Sequence, residues 1–237
     1  MDLTGHLASD HSGIAVFTAI LFDLDGVVAD THPLHRQAWR RLLLEVWPAG
    51  TISDSELEFV REGCKRTDIL RHFLGSLSDE ELVRYGQRKD ELFMEESASN
   101  GLRPIAGAIE LLAQLEQSEV RKALATSASR HRTYHVLKEL GLRNQFCAVV
   151  TAEDVTAGKP SPEIFYVAAH RAHVRPDTCL VIEDSSAGVR AAKAANMACL
   201  GIGTGELAQT LMQHGADYVL PDLTALSLAK LQVLFTH

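Results

Sequence analysis

The sequence lacks long apolar runs and paired cysteines, and each absence excludes a class of protein. None of its hydrophobic stretches is long enough to cross a bilayer as a helix, so we expect no membrane partner. The four cysteines show no CxxC spacing, which argues against a zinc or disulfide framework. Cys147, Cys179 and Cys199 lie in apolar segments, and we expect them to be buried free thiols in a reducing compartment.

Basic residues are also few. The chain of 237 residues has 23 Lys and Arg against 31 Asp and Glu, a formal net charge of −8, which argues against a nucleic-acid partner. The polar stretch up to Gly13 has no hydrophobic signal region, and we therefore predict a cytoplasmic protein. No segment indicates an obligate protein partner, and the sequence does not indicate an oligomeric state.

An apolar stretch over residues 14–22 predicts a strand that is buried on both faces, as in a parallel sheet. Asp23 and Asp25 follow it directly. Because residues two apart in an extended chain point to the same side, both carboxylates can face one pocket beyond the strand. Gly26 allows the chain to turn away there. A lone Asp-x-Asp is also compatible with a simple acidic turn, so the interpretation depends on the other sites.

The remaining pattern predicts an α/β fold, a doubly wound parallel sheet of Rossmann-like type with an inserted helical domain. Residues 32–101 show only helical periodicity, with possible capping boxes at Ser53-x-x-Glu56 and Ser78-x-x-Glu81. From Pro104 onward, short apolar strands alternate with helices. We therefore predict a core domain formed by residues 14–31 and 102–237, and an all-helical cap domain formed by residues 32–101.

Polar residues follow four of the predicted strands, and parallel topology brings these strand ends to one edge of the sheet. Singly, each has a simpler explanation, such as a helix cap or a surface lysine. Together they supply what phosphoryl transfer needs: a nucleophilic carboxylate, a hydroxyl, an ammonium and further acids for Mg²⁺. In chain order they are Asp23 and Asp25, Thr126 and Ser127, Lys159, and Glu183 and Asp184.

These motifs resemble, in order, those of the haloacid dehalogenase-like phosphotransferases, whose first motif is similar to Asp23-Leu-Asp-Gly-Val-Val. The resemblance implies that Asp23 is the nucleophile and Asp25 the general acid and base. It implies Mg²⁺ held by the Asp23 side chain and the Asp25 carbonyl, and we assign Glu183 and Asp184 to the same metal site. Lys159 and a hydroxyl would bind the phosphate; Thr126 and Ser127 are both candidates, and we favour Ser127.

The predicted cap resembles that of the subfamily that contains β-phosphoglucomutases and sugar-phosphate phosphatases. The resemblance implies a hinge at Thr31, a His35 that positions Asp25, and contacts with the distal part of the substrate. Alone, each of these residues could simply pack or lie at the surface. The implied substrate contacts are Gly63, Arg66, Lys89, Ser129 and Arg130.

The chain departs from the mutase pattern at Arg61-Glu62, Cys64 and Arg130, and Glu62 would oppose a second phosphate. We therefore predict a Mg²⁺-dependent phosphatase that acts on a small sugar phosphate or related metabolite through an aspartyl phosphate. A phosphomutase of the β-phosphoglucomutase type is the alternative. A phospho-acceptor signalling or binding domain without turnover is the alternative from another class.

Overall fold

A parallel sheet of six strands forms the centre of the computed structural model, which describes residues 17–47, 52–57 and 65–235. Its order, β3-β2-β1-β4-β5-β6, places β1 between β2 and β4. In register, Phe22 of β1 lies beside Leu124 and Ile182, so the carboxyl ends of these strands are level. The strands are Ala19–Phe22 (β1), Arg121–Ala125 (β2), Ala148–Val150 (β3), Cys179–Glu183 (β4), Ala198–Ile202 (β5) and Tyr218–Leu220 (β6).

Between β1 and β2 the described chain is helical. We call residues 32–101 the helical insertion. Ser78 and Glu81 form the predicted capping box, in which Glu81 N–H donates to Ser78 Oγ over 3.3 Å and Ser78 N–H donates to Glu81 over 2.9 Å. The first helix packs against the last through buried leucine and phenylalanine side chains. The helices of the insertion are His32–Val46 (α1), Asp54–Leu57 (α2), Arg66–Leu74 (α3) and Asp79–Asn100 (α4).

Two adjacent segments join the helical insertion to the rest of the chain. The Asp30 N–H donates to the Arg103 carbonyl over 2.9 Å, and the Ile105 N–H donates to the Val28 carbonyl over 3.0 Å. The chain thus leaves the sheet just after β1 and returns alongside its own exit. This geometry places the insertion beside the carboxyl end of β1.

Six further helices cover the two faces of the sheet, as right-handed crossovers require. Side chains alternate along β1: Ile20 and Phe22 pack in one apolar cluster, whereas Ala19 and Leu21 pack in the other. The first cluster includes residues of α5, α6 and α10 and continues into the helical insertion, and the second includes α7 and α8. These helices are Ala108–Glu116 (α5), Arg130–Glu139 (α6), Glu163–Arg171 (α7), Ser186–Ala194 (α8), Gly205–Gln213 (α9) and Leu228–Leu234 (α10).

The observed fold confirms the predicted fold class and changes some details. Strand β1 begins at Ala19, and residues 14–16 lie outside the described chain. Cys179 and Cys199 are buried free thiols, but the expectation for Cys147 is wrong: it is exposed, because it precedes β3 rather than lying within it. Within the described residues, no helix is long and apolar enough to span a membrane.

Candidate active site

The pocket lies between the helical insertion and the carboxyl ends of β1, β2 and β4, where the order of strands in the sheet reverses. Strand order reverses on either side of β1, and such a switch point leaves a crevice beyond the strand ends. The cavity has a volume of about 80 Å³ and is lined by Asp23 and Asp25 after β1, Ser127 after β2, and Asp184 after β4. The three strand ends are thus brought together as the sequence predicts.

Lys159 lies buried behind Asp23 and does not itself line the pocket. Its Nζ lies 2.6 Å from Asp23 Oδ1 and 3.2 Å from the Ala125 carbonyl oxygen, and it also pairs with Glu183. The lysine side chain is buried, and an unpaired ammonium would not be tolerated there. The two carboxylates therefore raise the pKa of Lys159 although burial opposes this, and the residue stays charged.

More negative than positive side chains surround Asp23. Burial raises the pKa of this carboxyl well above its usual range; Lys159 opposes the shift, while Glu183, Asp25 and Asp184 add to it. The N–H of Asp25 donates to Asp23 Oδ2 over 3.0 Å and fixes the second oxygen. A cation near Asp23 would relieve this repulsion.

Glu183 and Asp184 are adjacent, but only Asp184 lines the pocket. The Glu183 side chain is fully buried, and its Oε2 accepts from the N–H of Asp184 over 2.9 Å and from the N–H and hydroxyl of Ser185 over 3.0 and 2.9 Å. Successive side chains of an extended strand point to opposite sides, which explains the difference. The structure thus does not bring Glu183 to the pocket as a metal ligand. Glu183 instead pairs with Lys159 and accepts hydrogen bonds at the start of α8.

Gly26 closes the turn between β1 and the helical insertion. Its φ of +76° favours glycine, and a Cβ there would lie 2.0 Å from Asp184 Oδ2 and 2.4 Å from His32 Nε2. His32 Nε2 itself lies 2.6 Å from Asp184 Oδ2. The turn thus lets the first residue of α1 reach the acid that follows β4, a contact that the sequence does not reveal.

Asp25 is held by Arg132, a residue that the sequence interpretation missed. The guanidinium binds the carboxylate with two bonds, Nη1 to Oδ1 over 2.9 Å and Nη2 to Oδ2 over 2.8 Å. Thr31, the predicted hinge residue, donates its hydroxyl to Oδ1 over 2.6 Å. Burial alone would raise the pKa of Asp25, but the charges of Arg132 and His35 and their hydrogen bonds hold it well below its usual range.

His35 lies between Asp25 and Lys89, as the predicted positioning role requires. Its Nε2 is 3.3 Å from Asp25 Oδ1, and its Nδ1 is 2.6 Å from Lys89 Nζ. Burial first, and then the charges of Lys89 and Arg132, lower the pKa of His35 to about 3. His35 Nε2 also lies 2.9 Å from Arg132 Nη1, so cationic donors face both ring nitrogens, and a neutral imidazole can accept from only one of them. The pKa of Lys89 is also lowered, chiefly by burial.

The Arg66 and Ser129 side chains converge on the acid Asp90, which the sequence interpretation also missed. Arg66 Nη1 and Ser129 Oγ each lie 2.5 Å from Asp90 Oδ2. All three residues line the pocket, so the structure brings Arg66 and Ser129 together as expected. The contact also joins α3 and α4 of the insertion to the segment before α6.

Arg130 does not line the pocket, which corrects its predicted placement. Its exposed side chain binds Asp154 over 2.8 Å. Ser129 is the N-cap of α6 and accepts from the Arg132 N–H. The helix that starts there directs the Arg132 side chain, rather than that of Arg130, toward the pocket. The Ser129 N-cap is the signal from which this phase could have been predicted. Gly63 lies outside the described residues.

The two candidate hydroxyls after β2 differ in their surroundings. Thr126 is buried, and its Oγ1 accepts from the Ala128 N–H over 3.1 Å. Ser127 is partly exposed, and both residues line the pocket.

Further contacts join the helical insertion to residues 155–158, outside the pocket lining. Lys65 Nζ donates to the carbonyl oxygens of Val155 and Thr156, over 3.1 and 2.8 Å, and its stem lies against Gly158. The cavity of about 80 Å³ is smaller than the roughly 300–1,000 Å³ that is usual for ligand pockets.

The donor set fits Mg²⁺. Asp23 and Asp184 offer hard carboxylate oxygens in one pocket, and burial, with the nearby carboxylates Glu183, Asp25 and Asp184, raises the pKa of Asp23. Within the described chain, no three His, Cys, Asp or Glu side chains form a metal centre on their own. Mg²⁺ does not require this, because it typically takes one or two carboxylates and completes its shell with water and phosphate oxygens.

Fold and pocket together define an α/β enzyme with an acidic site at the end of its first strand. The sequence profile of the haloacid dehalogenase-like hydrolases matches residues 20–202, and the chain belongs to that family. It is an enzyme of the branch that contains phosphatases and phosphomutases, as its relatives indicate.

Two relatives and one solved structure illustrate the similarity. The chain is 34% identical to the validoxylamine A 7'-phosphate phosphatase of Streptomyces hygroscopicus subsp. limoneus, over 88% of this chain and 95% of the relative. It is 30% identical to the β-phosphoglucomutase of Bacillus subtilis, over 89% and 92%. The crystal structure of a β-phosphoglucomutase from Clostridium difficile has a TM-score of 0.80 at 30% identity, covering 92% of this chain and 97% of the other.

Proposed function

We propose that the chain is a Mg²⁺-dependent phosphatase that acts on a small phosphorylated sugar or related metabolite through an aspartyl phosphate. The observation that carries the proposal is that Asp23 lines the pocket between the sheet and the helical insertion and is paired from behind with buried Lys159, whose Nζ lies 2.6 Å from Asp23 Oδ1. Relatives named as phosphatases of phosphorylated carbohydrates or hexitols support this substrate class. We propose that the helical insertion is the cap domain and that the enzyme is cytoplasmic.

In this proposal, Asp23 attacks phosphorus and the bond from phosphorus to the leaving oxygen breaks, with Asp25 giving that oxygen a proton. Water then attacks the acyl phosphate, its proton passes to Asp25, and Asp23 is released with inorganic phosphate. The charge of Lys159 supports the phosphate oxygens. Bound Mg²⁺ would neutralise phosphate charge beside Asp23 and Asp184.

The contacts of Asp25 bear differently on its two proposed roles, general acid in the first step and general base in the second. Its pKa lies well below the usual range while Arg132 holds it, which suits the carboxylate that activates water. To act as the acid, the carboxyl must first leave the guanidinium and take up a proton. We propose that this exchange accompanies substrate binding, and that Thr31 and His35 guide it from either side.

We propose Ser127 as the phosphate-binding hydroxyl. Thr126 is buried, whereas Ser127 is partly exposed and lines the pocket, and this supports the choice. Phosphomutase is the second candidate function, favoured by Arg66 and Ser129 on the insertion side of the pocket and by β-phosphoglucomutases among the relatives.

Phosphate release from p-nitrophenyl phosphate and a panel of sugar phosphates, with Mg²⁺, tests the proposal. A substrate carrying radiolabelled phosphate, stopped in acid, should leave label on the protein that hydroxylamine removes, and Asp23→Asn should carry none. Label elsewhere, or no release from any substrate, would contradict the assignment. If β-glucose 1,6-bisphosphate instead drives β-glucose 1-phosphate to glucose 6-phosphate with little release, the enzyme is a mutase.

A further inference from the structure

Asp90 is a buried acid that faces the substrate pocket and has no part in the proposed chemistry. Only 8% of the residue is exposed. One of its oxygens, Oδ2, accepts from both Arg66 Nη1 and Ser129 Oγ at 2.5 Å. The three side chains come from α4, α3 and the N-cap of α6, so the contact lies on the insertion side of the pocket.

Asp90 remains ionised in this setting. Burial would raise its pKa, but the charges of Lys89, Arg66 and Arg132 and the bond from Ser129 hold the pKa below its usual range. The carboxylate therefore neutralises Arg66. The guanidinium that would attract an anion at this end of the pocket already has one, supplied by the protein.

The position of Arg66 is fixed from a second direction by Gly86. A Cβ at Gly86 would lie 2.7 Å from Arg66 Nε and 2.9 Å from Cζ, so the absence of a side chain lets the guanidinium lie across α4. Arg66 is therefore held flat on the helix that carries Asp90. The pair is built into the insertion and does not depend on a loop.

A second phosphate group at this end would meet the Asp90 carboxylate or would have to displace it from both donors. Like charges at such distances repel strongly where water is excluded. A sugar or polyol hydroxyl meets no such cost, because it can donate to the carboxylate. We propose that Asp90 restricts the pocket to monophosphates whose far end carries neutral hydroxyl groups, and that it discriminates against metabolites with a second phosphate there.

This inference rests on the proposed function only in placing the transferable phosphate beside Asp23. Binding can test it without turnover, in the Asp23→Asn background with Mg²⁺. Fructose 1-phosphate and fructose 1,6-bisphosphate are matched probes that differ in the second phosphate. Titration calorimetry gives a dissociation constant for each, and their ratio measures discrimination. Effects of the background variant on the shared phosphate cancel in that ratio.

Asp90→Asn should lower the ratio of bisphosphate to monophosphate dissociation constants by about tenfold or more, the effect of one removed like-charge contact. Glu91→Gln, an equal change of charge at the exposed next position of α4, should leave the ratio within about twofold. Asp90→Glu keeps the charge and should keep discrimination. Asp90→Ser provides a second neutral variant if the amide variant does not fold.

An unchanged ratio in the folded neutral variants would overturn the inference, and so would an equal shift in Glu91→Gln. Failure of the proposed function has a different signature: the ratio would respond to Asp90 while the wild-type protein releases no phosphate from any substrate. If the monophosphate binds to no form of the protein, both proposals are contradicted.

Discussion

The two walls of the pocket handle charge differently. On the sheet wall, Lys159 pairs with both Asp23 and Glu183, and His32 contacts Asp184. Burial first, and then the neighbouring carboxylates, raise the pKa of Asp23. On the insertion wall, Arg66 is paired with Asp90 and Lys89 is bonded to His35. In the proposed mechanism the sheet wall would hold Mg²⁺, whereas each of these two cations of the insertion wall already has a partner within the protein. We expect changes on the first to abolish chemistry and changes on the second to alter selectivity and stability.

The largest effect is expected for Asp23→Asn on the sheet wall. An amide cannot attack phosphorus, so p-nitrophenyl phosphate hydrolysis should fall at least about a thousandfold, while removal of one clustered charge leaves the fold intact or more stable. Steady-state rates and urea unfolding measure both effects. Asp177→Asn, at an exposed surface pair, is the matched control. Retention of more than about one per cent of the activity would contradict the nucleophile assignment.

Removal of the metal should come next in magnitude. Chelation should reduce hydrolysis by at least about a hundredfold, Mg²⁺ should restore it, and Ca²⁺ should not, because Ca²⁺ prefers longer bonds and more ligands. Mg²⁺ should also raise the melting temperature of the wild-type protein more than that of Asp184→Asn. Full activity in excess chelator would contradict a metal-dependent mechanism at the sheet wall.

The third prediction concerns the ion pair between Arg132 and Asp25. Arg132→Met leaves Asp25 buried without its bidentate partner, and the free energy of unfolding should fall by about 3 kcal/mol. Arg130→Met, two positions earlier, removes only an exposed ion pair and should cost less than about 1 kcal/mol. Urea unfolding near pH 7 compares the two variants. Equal losses would mean that Arg132 does not hold Asp25 as the geometry indicates.

The last prediction is a pH dependence that arises from His35 and that has little effect on stability near neutral pH. Its pKa falls from 6.5 to about 3 in the folded protein, so between these values the unfolded chain binds a proton that the native protein does not. Stability is therefore present above pH 6.5 and is lost as the pH falls, with a contribution of up to about 1.4 kcal/mol per pH unit. His35→Gln should flatten the slope of unfolding free energy against pH between 6.5 and 4. An unchanged slope would show that other groups cause it.

The sheet wall was predictable from the sequence because strand ends fix positions. An apolar run followed by Asp23 and Asp25 predicts where the carboxylates lie, since extended chain alternates and parallel strands end at one edge. The same alternation at the end of β4 directs Asp184 and Glu183 to opposite sides. The sequence interpretation did not make that distinction.

The insertion wall was less predictable because it depends on helix phase and on packing between helices. Arg130 and Arg132 look alike in sequence, and only the Ser129 N-cap decides which of them turns inward. Lys89 is buried against α1, whereas Asp90 is covered by Arg66 of α3 and by Ser129, and no local sequence pattern predicts two adjacent buried charges. Such residues are individually expected at the surface.

The contact of Lys65 ties the helical insertion to the chain segment before Lys159. Its ammonium donates to the carbonyl oxygens of Val155 and Thr156. Lys159 in turn pairs with Asp23, so the insertion and the nucleophile are joined through one short stretch of chain. Binding at one end of such a connection and contact at the other are coupled reciprocally. We therefore expect a change at Lys65 to alter phosphate affinity, although Lys65 does not line the pocket.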